Sequence, residues 1–388
     1  MNPILWYKNF NMVIELDVAG EFIYNGFQEI YQTPCLNNDA NTFVALYNIA
    51  VGIERLQKIV IVLWEDNNTF RNEKFDTRLK RLGHNHISLR DKIDDLLNKS
   101  NYENIPKFSN RENDFLELLN QFYKSIRYTR YGVDKQTDKE VTLLNNFLDK
   151  YIEVDRNYLT DSILVSDKTK KLLGKVISKI SKDYYKLVRE GSNRNGIFTY
   201  EIREDSKAAK VFRCQSLYNE MFDERISFKE LMVYIRNTKE KHPFLKFVED
   251  IKPLSFDPGL INGYFEELIN GIISQQLIDE VDYLYDNLDN KKERQNTVDL
   301  LGNPNVDFEY PHIKKCKELI NEIINTKSIS DEQITIIKHE KDYILEDEVI
   351  EMLNKFEIEF RKYKEGLIDS KLFIQRISEI NNDMDIYW

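Results

Sequence analysis

Residues 42–65 read TFVALYNIAVGIERLQKIVIVLWE. Within them Leu46, Ile49, Ala50, Ile53, Leu56, Val60 and Leu63 recur at three- and four-residue steps, the period that lines one face of an α-helix. Glu54 stands four residues before Lys58, a favourable pairing along a helix. The stretch therefore predicts one long, well-buried helix from about Thr42 to Glu65. It sets the fold class, because its neighbours repeat the pattern. Upstream, Leu16, Ala19, Gly20, Ile23, Phe27 and Ile30 share a helix face, and Pro34 ends that element.

Downstream, Ile87–Leu97 reads as a shorter helix, and Ser109-x-x-Glu112 has the form of a capping box opening the next. That helix carries Phe115, Leu118, Leu119, Phe122 and Ile126 to about Arg130. Further helices are expected over 139–152, 167–189, 260–288, 346–364 and 372–380. Ile197–Ile202 reads as a short strand, while Ser227-x-x-Glu230 and Ser330-x-x-Gln333 mark further helix starts. The expectation is an all-α protein with at most small strands: a helical bundle over 1–155 and a helical C-terminal region over 156–388.

Composition agrees with that class. The 388 residues include 22 Tyr and 22 Phe but only 13 Gly and 8 Pro, so large side chains are many and helix breakers few. The formal charge is −11, from 55 Lys and Arg against 66 Asp and Glu, too mild a bias for wholesale disorder. Such acidity argues against general nucleic-acid affinity. Cys35, Cys214 and Cys316 are odd in number and far apart, which suits a reducing compartment. No basic leader with an apolar run opens the chain, and Ile59–Trp64 is too short to cross a bilayer. A soluble cytoplasmic protein without membrane association is expected.

The chemistry-bearing patterns are few. Neither phosphate-loop, dinucleotide-binding, nucleophile-elbow nor zinc-protease motifs occur, so no cofactor is expected. His312 and Cys316 stand four apart on one helix, yet two ligands do not close a metal site, and no metal is expected. The segment 67–90 is different. It holds Arg71, Lys74, Arg78, Lys80, Arg81 and Arg90 against Glu73 and Asp76, together with His84 and His86. An imidazole can take the proton of a ribose 2′-OH and a guanidinium can hold phosphate, so Arg81, His86, His84 and Arg78 are the candidate catalytic set. The same residues also suit a helix-start loop whose histidine bonds the backbone and whose cations are solvated. Arg127, Tyr128, Arg130 and Tyr131 cluster at a helix end and offer cationic and aromatic planes to phosphates and unstacked bases. Cations there also simply oppose the helix dipole.

The helix Val51-Gly52-Ile53-Glu54-Arg55-Leu56-Gln57-Lys58, the Gly83-His84-Asn85-His86 loop opening the next helix, and the closing Arg127–Tyr131 group together resemble the HEPN superfamily of helical bundles. The likeness covers about residues 12–132. It implies a metal-independent ribonuclease or an inactive binding or sensing module, often dimeric, of a toxin or antiphage defence system. The family's R-x(4–6)-H signature generally lies on the last helix, where Arg127 and Arg130 here have no histidine after them before His242. The matching spacings are instead Arg81-x4-His86 and Arg78-x5-His84. The resemblance thus implies either RNA cleavage by these residues or a scaffold that binds RNA or a partner protein.

Overall fold

The computed structural model describes residues 2–36, 39–71, 79–128, 131 and 139–384. Among them the fold is all-α. The non-helical pairings are the isolated bridges Cys35 to Leu164 and Arg156 to Ile163. The chain divides into two compact units, Met1–Phe228 and Lys229–Trp388.

The first unit is built on an antiparallel helix pair. A short helix α1 (Pro3–Trp6) and a π turn (Tyr7–Asn11) lead into α2 (Met12–Gln32), and α3 (Asp39–Trp64) returns beside it. The two backbones touch at two points. A Cβ on Gly26 would lie 2.9 Å from the Ala45 carbonyl, and one on Gly52 would lie 2.9 Å from the Ala19 carbonyl. Glycine at both positions permits the approach. Ile23, Phe27, Ile49, Ile53 and Leu56 fill the seam and are buried. Lys8 is also buried, its Nζ 2.7 Å from the Glu65 carbonyl, so it caps the end of α3. Burial pulls its amine down to about 8.

Around this pair lie α4 (His86–Lys99), α5 (Asn110–Gln121), α6 (Lys139–Tyr151), α7 (Asp167–Asn195) and α8 (Lys207–Phe212). Ser109 and Glu112 form the expected reciprocal cap of α5. The long α7 places Leu173, Ile177, Ile180, Tyr184 and Leu187 in the same core as α3, and the Trp64 indole donates to the Leu187 carbonyl. That packing carries the first unit well past residue 155, where the sequence placed a boundary. The division instead falls within α9 (Leu217–Asn237), so Ser227 is inside a helix and not at a start. Residues 197–202 form no strand. There Thr199 Oγ1 donates to the Lys8 carbonyl and Asn9 Oδ1 accepts from the Phe198 amide, so the bonds go to the N-terminal segment.

The second unit continues with α10 (Pro243–Asp250), α11 (Ile261–Ile269), α12 (Gln275–Asp286) and α13 (Lys291–Val298). Gly271 in the left-handed region and the Ser274 cap split the expected 260–288 helix into α11 and α12. Its core lies in α14 (Tyr310–Thr326), α15 (Asp331–Lys341), α16 (Asp347–Lys364) and α17 (Ser370–Asp383), where Ile320, Ile337, Leu353, Phe356 and Phe373 pack together. The Ser330–Gln333 capping box is present at the start of α15.

Candidate active site

The 83–86 loop divides its two histidines by geometry. Asn85 caps α4 by accepting from the Ile87 and Ser88 amides, which puts His86 at the first helical position and His84 before the cap. His86 turns inward and is fully buried. Its Nδ1 sits 3.0 Å from Gln57 Oε1, while the Gln57 amide donates to the His86 carbonyl at 3.0 Å and to the Tyr184 hydroxyl at 2.9 Å. This polar knot joins α3, α4 and α7. A ring so enclosed does not meet an RNA strand, which corrects the catalytic expectation for His86. Burial, reinforced by nearby His84 and Lys58, pushes its imidazole down to about 3.

A stability effect follows from that depression. The folded state keeps His86 neutral while the unfolded chain takes up a proton below about 6.5, so stability falls as pH drops from 6.5 toward 3. Between pH 7 and pH 5 the loss is about 2 kcal/mol. Denaturant melts at the two pH values should show that loss in the wild type and less of it in His86→Leu.

His84 faces outward. Its side chain is 50% exposed, and its Nδ1 lies 2.6 Å from Glu54 Oε2. Glu54, 8% exposed, holds Lys58 on its other oxygen at 2.6 Å. A carboxylate on Nδ1 fixes the proton there and leaves Nε2 as the acceptor, the arrangement of a general base. The three side chains line a cavity of about 750 Å³ together with Tyr7, Glu15, Leu79 and Tyr123. The cavity also holds an Arg55–Glu15 ion pair.

Tyr123 joins the histidine to the second candidate cluster. Its ring centroid lies 4.4 Å from that of His84, and the Arg127 guanidinium carbon lies 3.8 Å from the Tyr123 centroid and 4.4 Å from that of Tyr128. Tyr128 and Tyr131 follow, with centroids 6.3 Å apart and both exposed. A second π turn, Phe122–Ile126, ends in a bond from the Arg127 amide to the Phe122 carbonyl and sets this register. Tyr47 stacks near Tyr123 at 6.2 Å, so aromatic planes run from inside the cavity to the surface. Burial raises the Tyr123 phenol, which stays protonated.

The structure therefore brings together His84, Arg127, Tyr128 and Tyr131. Arg81 is exposed and does not line the cavity. Arg78 and Arg130 lie outside the described residues. Tyr123 was not singled out from the sequence, although its position four before Arg127 marks it as a helical neighbour. His312 bonds Glu340 at 2.6 Å and the Cys316 thiol, near the Ile337 carbonyl, is pushed up to about 12 by burial. Among the described residues no cluster of three His, Cys, Asp or Glu suits a metal, and no helix is long and apolar enough to cross a membrane.

No protein-family model matches the chain, and the searches of curated proteins and of solved structures returned no match.

Proposed function

We propose that the first unit is a metal-independent, HEPN-like endoribonuclease of a bacterial defence or toxin system, working as a homodimer in the cytoplasm. The observation that carries the reading is the His84–Glu54 pair, its imidazole half exposed in a cavity that also holds Lys58. His84 Nε2 takes the proton of a ribose 2′-OH, the 2′-oxygen attacks the adjoining phosphorus, and the 5′-oxygen leaves with a proton from solvent. Lys58 offsets phosphate charge, and Tyr123, Arg127 and Tyr128 provide planes for unstacked bases.

Charge supports the assignment to this unit. Residues 1–228 hold 34 Lys and Arg against 33 Asp and Glu, net +1, whereas 229–388 hold 21 against 33, net −12. The overall acidity thus belongs to the second unit. Within it, residues 253–289 contain eight Asp and Glu and no Lys or Arg, and they expose Ile272, Ile273 and Tyr283. Those exposed apolar side chains favour a partner protein, the non-catalytic reading of this half of the chain.

The test is incubation of total RNA and tRNA with the purified chain in EDTA, beside His84→Ala and Arg81→Ala. Cleavage that persists in Arg81→Ala and disappears in His84→Ala is the expected result. Equal cleavage by all three overturns the site.

A further inference from the structure

Helix α7 carries a second pattern on its outer side. Lys168, Lys171, Lys175, Lys179, Lys182, Lys186 and Arg189 follow one another at steps of three or four residues, so they form one continuous stripe. At 1.5 Å per residue the stripe is about 32 Å long. All but Lys182, which is half-buried, are exposed, while the opposite face of the helix is locked into the core by Leu173, Ile177, Ile180 and Leu187. Over its whole length α7 has nine Lys and Arg against Asp167, Asp183 and Glu190.

An ordinary solvated helix face alternates its charges and satisfies them along the helix. Here Lys179–Asp183 is the close pair of that kind, and Arg189–Glu190 is looser at 3.7 Å. Lys171, Lys175 and Lys179 instead repel one another at successive four-residue steps. A protein partner is disfavoured, because interface cores are poor in lysine and this stripe includes no exposed apolar side chain. A membrane surface is disfavoured for a related reason, since interfacial helices bury an apolar face in lipid and that of α7 is already buried in protein. A linear row of flexible, hydrated ammonium groups matches a linear row of phosphates.

We infer that the outer face of α7 is a binding track for a nucleic-acid phosphate backbone, separate from the His84 cavity. It extends the RNA reading of the first unit and does not require that the unit cleave.

The measurement is fluorescence anisotropy with the full chain, using a labelled 20-nucleotide 2′-O-methyl RNA, which resists 2′-OH chemistry, and a DNA strand of the same sequence. The triple variant Lys175→Ala, Lys179→Ala, Lys186→Ala should bind both strands at least tenfold more weakly at 0.1 M salt. Its log–log salt dependence should be shallower by about 2, the release expected for three lost phosphate contacts. The triple Lys→Arg variant should bind as the wild type does. Unchanged affinity and slope in the alanine triple overturn the track. So does a preference for RNA over DNA above tenfold, because ammonium groups reading phosphate do not select the sugar. Phosphatidylserine vesicles that bind the wild type and not the triple would assign the stripe to membranes and equally overturn it. Binding without cleavage leaves this inference standing and removes the ribonuclease reading; cleavage by a chain whose alanine triple binds normally does the reverse.

Discussion

His84→Ala is expected to lower RNA cleavage by about two to four orders of magnitude, the range a positioned general base contributes. Folding should survive the change, because the ring is half exposed and its bond to Glu54 lies at the cavity edge. Glu54→Gln is the more informative companion. An amide N–H presented to Nδ1 favours the tautomer protonated on Nε2, which no longer accepts a proton. A loss of about a hundredfold or more in kcat, with KM little changed, is the expected outcome. The double variant should be scarcely worse than His84→Ala, since the carboxylate acts through the ring. A Glu54→Gln enzyme with full kcat would remove Glu54 from the positioning role.

The second large effect concerns the frame that holds this cavity. Gly26→Ala and Gly52→Ala should each destabilise the first unit by about 1–3 kcal/mol, the usual range for overpacking. In both cases a new Cβ meets a backbone carbonyl oxygen of the facing helix at 2.9 Å and a backbone nitrogen at the same distance. Alanine otherwise favours a helix by about 1 kcal/mol over glycine. Gly263→Ala is the control, because Gly263 lies in α11 with nothing within 4 Å of its would-be Cβ. It should be neutral or slightly stabilising. Urea unfolding of the three variants measures the contrast, and equal effects at all three positions would contradict the close contact of α2 with α3.

Much of the fold was legible because hydrophobic period and caps are local. Leu46 to Leu63 announced α3, and Ser109 with Glu112 announced α5. The 197–202 segment misled because Ile197 and Ile202 are buried as strand residues are, yet between them the Phe198 amide donates to the Asn9 side chain and the Thr199 hydroxyl to the Lys8 carbonyl. Ser227 misled because a capping sequence has no power against a helix already running. The unit boundary was hidden for another reason: only contacts between distant segments, such as Trp64 with Leu187, show that α7 belongs to the first core.

The site was legible in residue type and not in orientation. His84 and His86 differ by two positions, and the Asn85 cap between them decides which faces the core. The Arg127 cluster was visible as a group, but its link to His84 runs through Tyr123 and depends on the π turn before it. The net charge of −11 obscured both the neutral first unit and the lysine face of α7, since an average over 388 residues cancels what separate elements concentrate.

The most direct test of the central claim is the chemistry of the RNA ends after incubation with the wild-type chain in EDTA. Attack by a 2′-OH activated at His84 predicts fragments ending in 2′,3′-cyclic phosphate, absent from the His84→Ala reaction. Fragments ending in 3′-OH, or intact RNA under every condition, would contradict it.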